Sequence, residues 1–410
     1  MEKFDVIIVG GGQAGAQAAI ALRQKGFVGS IAIISDELDP PYERPPLSKD
    51  YFIGKKDFSR LLIVPNNYWS DHNICLKLGE RVTEVDPVRH IIKTVKGLIF
   101  SYTTLIWATG GLPRRLSCPG HNLNGIHVLR TRVDADRLKV AANAAESVLI
   151  IGGGYVGLES AAVLSSLGKK VTIVEAQERI LARVSGVQLS NFLNCEHERH
   201  GVTICKQVQV TAFEGAQGHV TGARLSDGRH IATELVLVGI GIIPSVAPLL
   251  DAGAEGTNGI MVNEMCQTSL PDIYAIGDCA LHANKYADSR FLRLESVQNA
   301  NDMALNVAES IVGFPTAYKS LPWFWSCQYD LRIQTVGLAI DTDAEIVRGN
   351  IDLRKFSIIS MRKGRIIAID CINNVKDFAQ GKNLIGTDIS MNLDKIIDLS
   401  FPLKEFSLDA

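Results

Sequence analysis

The stretch Val6-Ile7-Ile8-Val9-Gly10-Gly11-Gly12-Gln13-Ala14-Gly15 decides the fold, and it recurs in altered form as Val148-Leu149-Ile150-Ile151-Gly152-Gly153-Gly154-Tyr155-Val156-Gly157. In each copy a short apolar run feeds a Gly-x-Gly-x-x-Gly turn and then an alanine-containing segment of helical character. Apolar side chains on both sides of the pleat belong to a strand buried on both faces. The first glycine permits the tight turn, the second lets backbone approach a pyrophosphate, and the third lets the helix pack close on the strand. Phosphates at such a turn sit on the helix N-terminus, where free N–H groups and the dipole favour negative charge.

Working outward, each fingerprint is followed by a second apolar run that ends in an acid: Ile31-Ala32-Ile33-Ile34-Ser35-Asp36 and Val171-Thr172-Ile173-Val174-Glu175. These carboxylates lie about twenty residues past the last glycine, the spacing at which an acid accepts a hydrogen bond from a ribose hydroxyl. Two intact fingerprints predict two bound dinucleotides.

A chain of 410 residues exceeds one ordinary core and suits two or three domains. With 46% hydrophobic residues, 21% charged residues and a net charge of −2, it gives no electrostatic reason to expect nucleic acid. A strand expected from Phe4 leaves no room for a signal peptide, and the strongest apolar run, Leu235 to Ile243, is about half a bilayer span. The expectation is a cytoplasmic protein without a membrane segment. The eight cysteines (75, 118, 195, 205, 266, 279, 327 and 371) include no Cys-x-x-Cys or Cys-x-x-x-x-Cys pair, which predicts thiols rather than disulfides. Cys195, His197, His200 and Cys205 cluster within eleven residues, but their spacing fits no standard zinc pattern. The expected reading there is a helix end before Gly201, and no metal.

Between the fingerprints, Glu37 to Lys49 carries four prolines together with Arg44 and Lys49. Proline fixes φ and biases its predecessor to extended geometry, so this is a stiffened loop and a wall for the nearby site. Val82 to Val95 alternates like strands of a small sheet. Leu105-Ile106-Trp107-Ala108-Thr109-Gly110-Gly111 is a further strand and small-residue turn, and Ile273-Tyr274-Ala275-Ile276-Gly277-Asp278 is another. Ser296 is placed to cap a helix running to about Val312. From Leu321, Pro322-Trp323-Phe324-Trp325-Ser326-Cys327 leads into short β-type runs.

Taken in order, Gly-Gly-Gly-Gln-Ala-Gly, Tyr-Glu-Arg-Pro-Pro-Leu-Ser-Lys, Ala-Thr-Gly-Gly, Gly-Gly-Gly-Tyr-Val-Gly-Leu-Glu, Ala-Ile-Gly-Asp-Cys-Ala, Glu-Ser-Val-Gln-Asn-Ala and Pro-Trp-Phe-Trp-Ser resemble the FAD-dependent ferredoxin reductases of bacterial oxygenase systems, the group of putidaredoxin reductase and the biphenyl-type dioxygenase reductases. The resemblance spans Asp5 to about Glu405. It implies a glutathione-reductase-like α/β fold with two Rossmann-like dinucleotide domains, one inserted in the other, and a C-terminal α+β domain. The implied boundaries are 1–118 with 244–320 for FAD, 119–243 for NAD, and 321–410 for the C-terminal domain.

Carried over, the resemblance assigns FAD to Gly10, Gly12, Ala14, Gly15, Asp36, Arg44, Lys49, Val82, Ala108, Thr109, Gly110, Arg130, Gly277, Asp278 and Val297. It assigns NADH to Gly152, Gly154, Tyr155, Val156, Gly157, Glu159 and Glu175, and sets Trp325 against the isoalloxazine. Lys49, Trp325 and Glu159 are the implied catalytic residues, with Tyr155 gating the nicotinamide. The family's Trp-Phe-Trp-Ser is usually followed by Asp, where this chain has Cys327. The implied reaction passes hydride from NADH to FAD and then single electrons to a [2Fe-2S] ferredoxin, which feeds an oxygenase. Rubredoxin and monodehydroascorbate stay open as alternative acceptors. A nucleic-acid-binding flavoprotein of the apoptosis-inducing-factor type requires a basic surface, which the net charge disfavours. A partner-docking rim is expected at Arg290, Arg293, Lys319 and Arg332.

Overall fold

The computed structural model describes residues 1–387 and 393–407, so the expected 321–410 segment is covered except for 388–392 and 408–410. By contact the chain forms two compact units: Met1–Glu43, Asp57–Leu112 and Ile243–Pro322 make the first, and Arg44–Lys56, Pro113–Ile242 and Trp323–Ala410 the second.

The first unit is built on a seven-stranded sheet. The first fingerprint strand, Glu2–Val9, lies between Ile31–Ser35 and Ile99–Trp107 and pairs with both in parallel. Ile74–Leu78 extends the sheet in parallel beyond Ile31–Ser35. Val6, Ile7 and Ile8 are fully buried, as a central strand covered on both faces requires. The strands expected between Val82 and Val95 do not form a separate small sheet. Val82–Asp86 and Ile91–Thr94 make a hairpin that joins the main sheet antiparallel to the start of Ile99–Trp107. The end of that same strand instead pairs in parallel with Ile273–Ala275, so one long strand serves two neighbours. The helices Gln13–Gln24 and Val297–Ile311 contribute Ala18, Ala21, Leu22, Met303, Ala304 and Val307 to one core, and the many alanines allow the backbones to approach.

The second unit repeats the plan. The second fingerprint strand, Ser147–Ile151, lies between Lys170–Glu175 and Leu235–Val238 in an all-parallel sheet edged by Thr203–Lys206 and Ile126–His127. An antiparallel sheet of Val210–Ala216, His219–Leu225 and His230–Ala232 is appended to it in sequence. The C-terminal segment adds a five-stranded antiparallel sheet in the order Trp323–Gln328, Leu331–Gly337, Arg365–Ile372, Lys355–Arg362, Ala344–Asn350. This sheet shares a core with the parallel layer: Leu331, Ile333, Phe356, Ile358 and Ile372 cluster with Leu189, Phe192 and Leu193 of helix Val187–Arg199. Phe192 and Phe356 meet edge to face at 4.9 Å. No helix among the described residues is long and apolar enough to cross a membrane.

Candidate functional site

The two fingerprints close in the same way. Gly10 (φ +116°) and Gly152 (φ +105°) take conformations that side-chain-bearing residues avoid. A Cβ on Gly10 would lie 2.3 Å from the Ala108 carbonyl oxygen, and one on Gly152 2.3 Å from that of Gly239. Gly15 and Gly157 face the carbonyls of Gly10 and Gly152, where a Cβ would sit at 1.9 and 2.2 Å, so helix and strand touch backbone to backbone. Gly154 behaves differently. Its φ of −81° suits any residue, and a Cβ there would meet no protein atom within 4 Å. Nothing in the protein demands a glycine at that position, and the open space over the turn has room for a phosphate. The cradle therefore fits a dinucleotide.

The acids that follow are not equivalent by register. Val9 pairs with Ile34 and Ile151 with Val174, so Glu175 corresponds to Ser35, and Asp36 lies one residue farther on, exposed. Glu175 Oε2 accepts from Gly153 N at 2.6 Å and Oε1 from Gln177 N at 2.8 Å, which holds the carboxylate against the turn. Arg179, the nearest following cation, donates to the carbonyls of Ala182, Ser185 and Gly186 and to Ser190 Oγ. Its guanidinium is occupied within its own loop.

Within the first unit, the predicted residues Gly10, Ala14, Gly15, Ala108, Thr109 and Gly277 converge. Gly277 (φ +72°) comes within 3.0 Å of Ala14 Cβ, measured from its own virtual Cβ, and Ala300 of the capped helix lies alongside. Thr109 Oγ1 donates to the Ser245 carbonyl at 2.8 Å, and Ser245 N donates to the Gly110 carbonyl, tying this turn to the returning chain. Arg293 Nη1 donates to the Asp278 carbonyl at 2.7 Å. That contact corrects the expectation of Arg293 as a docking cation: its side chain is 9% exposed and paired with Glu295. Arg290 and Lys319 are exposed, as is Arg332 in the second unit. Ser296 Oγ accepts from Asn299 N at 3.1 Å, so Val297 begins a capped helix as expected. Gly12 precedes Gln13–Gln24 as its N-cap, and Val82 is buried at the start of the hairpin.

The other predicted residues lie in the second unit. Arg44 Nη1 donates to the Arg130 carbonyl at 2.8 Å, and Thr131 caps Arg132–Ala144 with a reciprocal capping box through Asp134. Pro45–Ser48 is a single 3₁₀ turn, as a run of fixed φ angles favours, and it delivers Lys49 to Glu159 on the fingerprint helix Tyr155–Ser166. Lys49 Nζ donates to Glu159 Oε2 at 2.5 Å, and Ser48 Oγ donates to the same oxygen at 2.9 Å. Glu159 Oε1 accepts from Ser326 Oγ at 2.7 Å. Glu159 is 5% exposed, and these donors satisfy the buried carboxylate. Sequence reading named Lys49 and Glu159 separately. Their pairing across 110 positions, and the part of Ser326, carry no local signal.

Strand Trp323–Gln328 alternates from Trp325 onward. Ser326 and Gln328 point inward, while Trp325 and Cys327 are exposed, with Trp323 and Trp325 tilted together at 5.8 Å. The Tyr155 ring packs edge-on to Phe324 at 4.8 Å. Its hydroxyl is buried, and burial, with Asp370 nearby, holds it well above the usual phenol range. Val156, next to it, is 45% exposed. All eight cysteines are free thiols, and no metal-binding group of His, Cys, Asp or Glu occurs among the described residues. His197 of the cysteine–histidine cluster is instead buried between Gln328 and Tyr329.

Residues 4–304 match the family described as pyridine nucleotide-disulphide oxidoreductase, and residues 323–407 match the reductase C-terminal family. The chain is 52% identical over 408 residues to the 5,5'-dehydrodivanillate O-demethylase ferredoxin reductase subunit of Sphingobium sp. (strain NBRC 103272 / SYK-6), covering 99% of each chain. It is 48% identical over 404 residues to a ferredoxin–NAD(P)(+) reductase of Sphingomonas sp., covering 98% of this chain and 97% of the other. The reductase chain in the crystal structure of the covalent putidaredoxin reductase–putidaredoxin complex superposes with a TM-score of 0.95 at 35% identity, covering 100% and 99% of the two chains. Duplicated glycine turns, an acid held against the second of them, and these matches over nearly the full length lead to one assignment: the chain belongs to the pyridine nucleotide-disulphide oxidoreductase family and carries its reductase C-terminal domain.

Proposed function

We propose that the protein is an FAD-dependent NADH:ferredoxin oxidoreductase that serves an oxygenase. The observation that carries the reading is the duplicated dinucleotide cradle, whose second copy leaves the space over Gly154 open and fixes Glu175 beside it. FAD is assigned to Gly10, Gly12, Ala14, Gly15, Asp36, Arg44, Lys49, Val82, Ala108, Thr109, Gly110, Arg130, Gly277, Asp278, Val297 and Trp325. NADH is assigned to Gly152, Gly154, Tyr155, Val156, Gly157, Glu159 and Glu175. When bound, FAD supplies the interchange between a two-electron hydride donor and a one-electron acceptor. The chain's own part is to bind, orient and set charge. Lys49, held by Glu159 and by the Pro45 carbonyl at 3.2 Å, is a fixed cation, and the N-terminal end of the capped helix Val297–Ile311 favours negative charge through its dipole. Tyr155 covers the nicotinamide position until the coenzyme enters.

The family name includes disulphide reduction, but this chain has no paired or closely spaced cysteines to exchange with a disulphide. A protein acceptor is supported by the relatives named as ferredoxin reductases and by the solved complex of a related reductase with putidaredoxin. The direct experiment is anaerobic turnover of the purified protein with NADH. About one FAD per chain and no metal are expected, with rapid reduction of a [2Fe-2S] ferredoxin that slows as salt rises while ferricyanide reduction changes little. Faster turnover with rubredoxin would change the partner. Faster turnover with monodehydroascorbate, independent of salt, would remove the protein-acceptor reading altogether.

A further inference from the structure

Behind Glu159 lie three buried polar side chains and one half-buried tyrosine. Ser326 and His197 are fully buried, Gln328 is 1% exposed, and Tyr329 follows in the turn with φ +55°. Together they form an unbroken hydrogen-bonded series. Tyr329 Oη lies 2.9 Å from His197 Nδ1, and His197 Nε2 lies 2.9 Å from Gln328 Oε1. Gln328 Nε2 donates to Ser326 Oγ at 3.2 Å, and Ser326 Oγ donates to Glu159 Oε1 at 2.7 Å.

The chemistry of the end group fixes the sense of the whole series. A carboxylate paired with a lysine only accepts, so the single Ser326 proton points to Glu159. Ser326 must then accept from the Gln328 amide nitrogen, which turns the amide oxygen toward His197. That oxygen only accepts, so His197 carries its proton on Nε2 and presents a lone pair at Nδ1 to the Tyr329 hydroxyl. Every donor points toward Glu159. Burial pushes the His197 pKa down to about 4, which keeps the imidazole neutral at ordinary pH, and the Gln328 oxygen selects the tautomer. The other groups around it are Glu196, engaged by Arg199 and Arg354, and His200, stacked on Tyr329 at 3.7 Å. An amide in the middle excludes a proton wire; a series of this kind orients and polarises its end group.

We propose that Ser326, Gln328, His197 and Tyr329 are positioning residues that lock Glu159 in the rotamer it presents to the nicotinamide coenzyme. Three donors already hold Glu159, two on Oε2 and one on Oε1, which leaves one acceptor direction on Oε1 for a ligand amide. The aim of that direction is set by Ser326, and the aim of Ser326 by the residues behind it. The inference rests on the reading of Glu159 as a coenzyme contact.

Two measurements test it. In long-range ¹H–¹⁵N spectra, His197 should be the Nε2-protonated neutral tautomer and should not titrate above about pH 5; Gln328→Met should give a tautomer mixture. In steady-state and stopped-flow kinetics, Gln328→Met, which keeps the shape and removes both hydrogen bonds, should raise KM for NADH about tenfold with a smaller fall in kcat. Ser326→Ala should do the same with less risk to folding. His197→Gln, whose amide reaches the Nε2 position, should restore most of what His197→Leu loses. A His197 protonated on Nδ1 in the native protein overturns the proposed sense. If Glu159→Gln impairs NADH use while Gln328→Met and Ser326→Ala leave KM and kcat unchanged, the relay is wrong and the site reading stands. If Glu159→Gln itself is silent, the site reading fails first.

Discussion

At the scale of single residues, the two glycines Gly154 and Gly157 separate what the ligand requires from what the fold requires. Gly157→Ala places a Cβ 2.2 Å from the Gly152 carbonyl oxygen and should cost several kcal/mol of stability, read as a loss of folded protein. Gly154→Ala meets no neighbouring protein atom within 4 Å, so its Tm should stay near that of the native protein while its affinity for NADH falls about tenfold or more by titration. Equal loss of stability in both variants would make Gly154 a folding residue. Glu175 sets the choice of coenzyme. Both Glu175 oxygens are tied to backbone N–H groups and Arg179 is engaged elsewhere, while the exposed Lys206 lies opposite Glu175 in register on the neighbouring strand and is the cation a 2′-phosphate would have to recruit. NADH should be preferred over NADPH by at least about tenfold in kcat/KM, or ~1.4 kcal/mol, and Glu175→Ala should narrow the gap. Comparable kcat/KM for the two coenzymes in the native protein would refute the role given to Glu175.

At the scale of elements, the buried Arg348 of strand Ala344–Asn350 shows how the chain end is held. Its Nε pairs with Asp377 at 3.1 Å, Nη1 donates to the carbonyls of Ile396 (2.7 Å) and Asp398 (2.6 Å), and Nη2 donates to that of Phe401 (2.9 Å). Removing one member of a buried, fully bonded pair costs about 3–5 kcal/mol, because the partner stays behind uncompensated. Arg348→Met should therefore destabilise the second unit by that order and expose 393–407 to limited proteolysis; unchanged cleavage there would show that the tail is held by other contacts. Elements of this kind mark the limit of sequence reading. The strands, turns and capped helix at Val6–Gly15, Val148–Gly157 and Ser296–Ile311 announce themselves locally, through apolar runs, glycine spacing and a serine at the right place. Arg348, Ser326 and the Lys49–Glu159 pair find partners dozens to more than a hundred residues away, and a charged or polar residue inside a strand pattern gives no hint of which carbonyl or carboxylate it will meet. The offset between Asp36 and Glu175 was hidden for a related reason: both acids follow an apolar run, and only strand register distinguishes the last strand residue from the one beyond it.

At the scale of the molecule, acid sensitivity follows from a few buried groups. Burial lowers the pKa of His127, and lowers His197 and His282 to about 4, so these imidazoles are neutral in the folded chain. Between about pH 6.5 and 4 the unfolded chain binds protons at His197 and His282 and the folded chain does not, and His127 acts in the same direction, so stability is lost as pH falls through that window. Asp370 acts in the opposite direction. Burial raises its carboxyl to about 6, so the folded chain takes up a proton there that the unfolded chain takes only below about pH 4, and acidification is favourable at that site. Three histidines outweigh one carboxyl, and denaturation midpoints should fall between pH 7 and pH 4.5. Asp370→Asn should steepen the fall and His282→Asn flatten it. A flat profile in the native protein would mean that the buried imidazoles find compensating donors.

The core shared by the C-terminal sheet and helix Val187–Arg199 sets a rule for building hybrid reductases. A junction cut at residue 322, just before the second family match begins, divides Phe356 from Phe192 and hands half of one hydrophobic interior to a foreign neighbour. Such a chimera should express poorly even when both parents are robust. Moving 44–56, 113–242 and 323–410 together keeps that interior intact, and makes those segments the natural unit of exchange when acceptor or coenzyme preference is to be recombined.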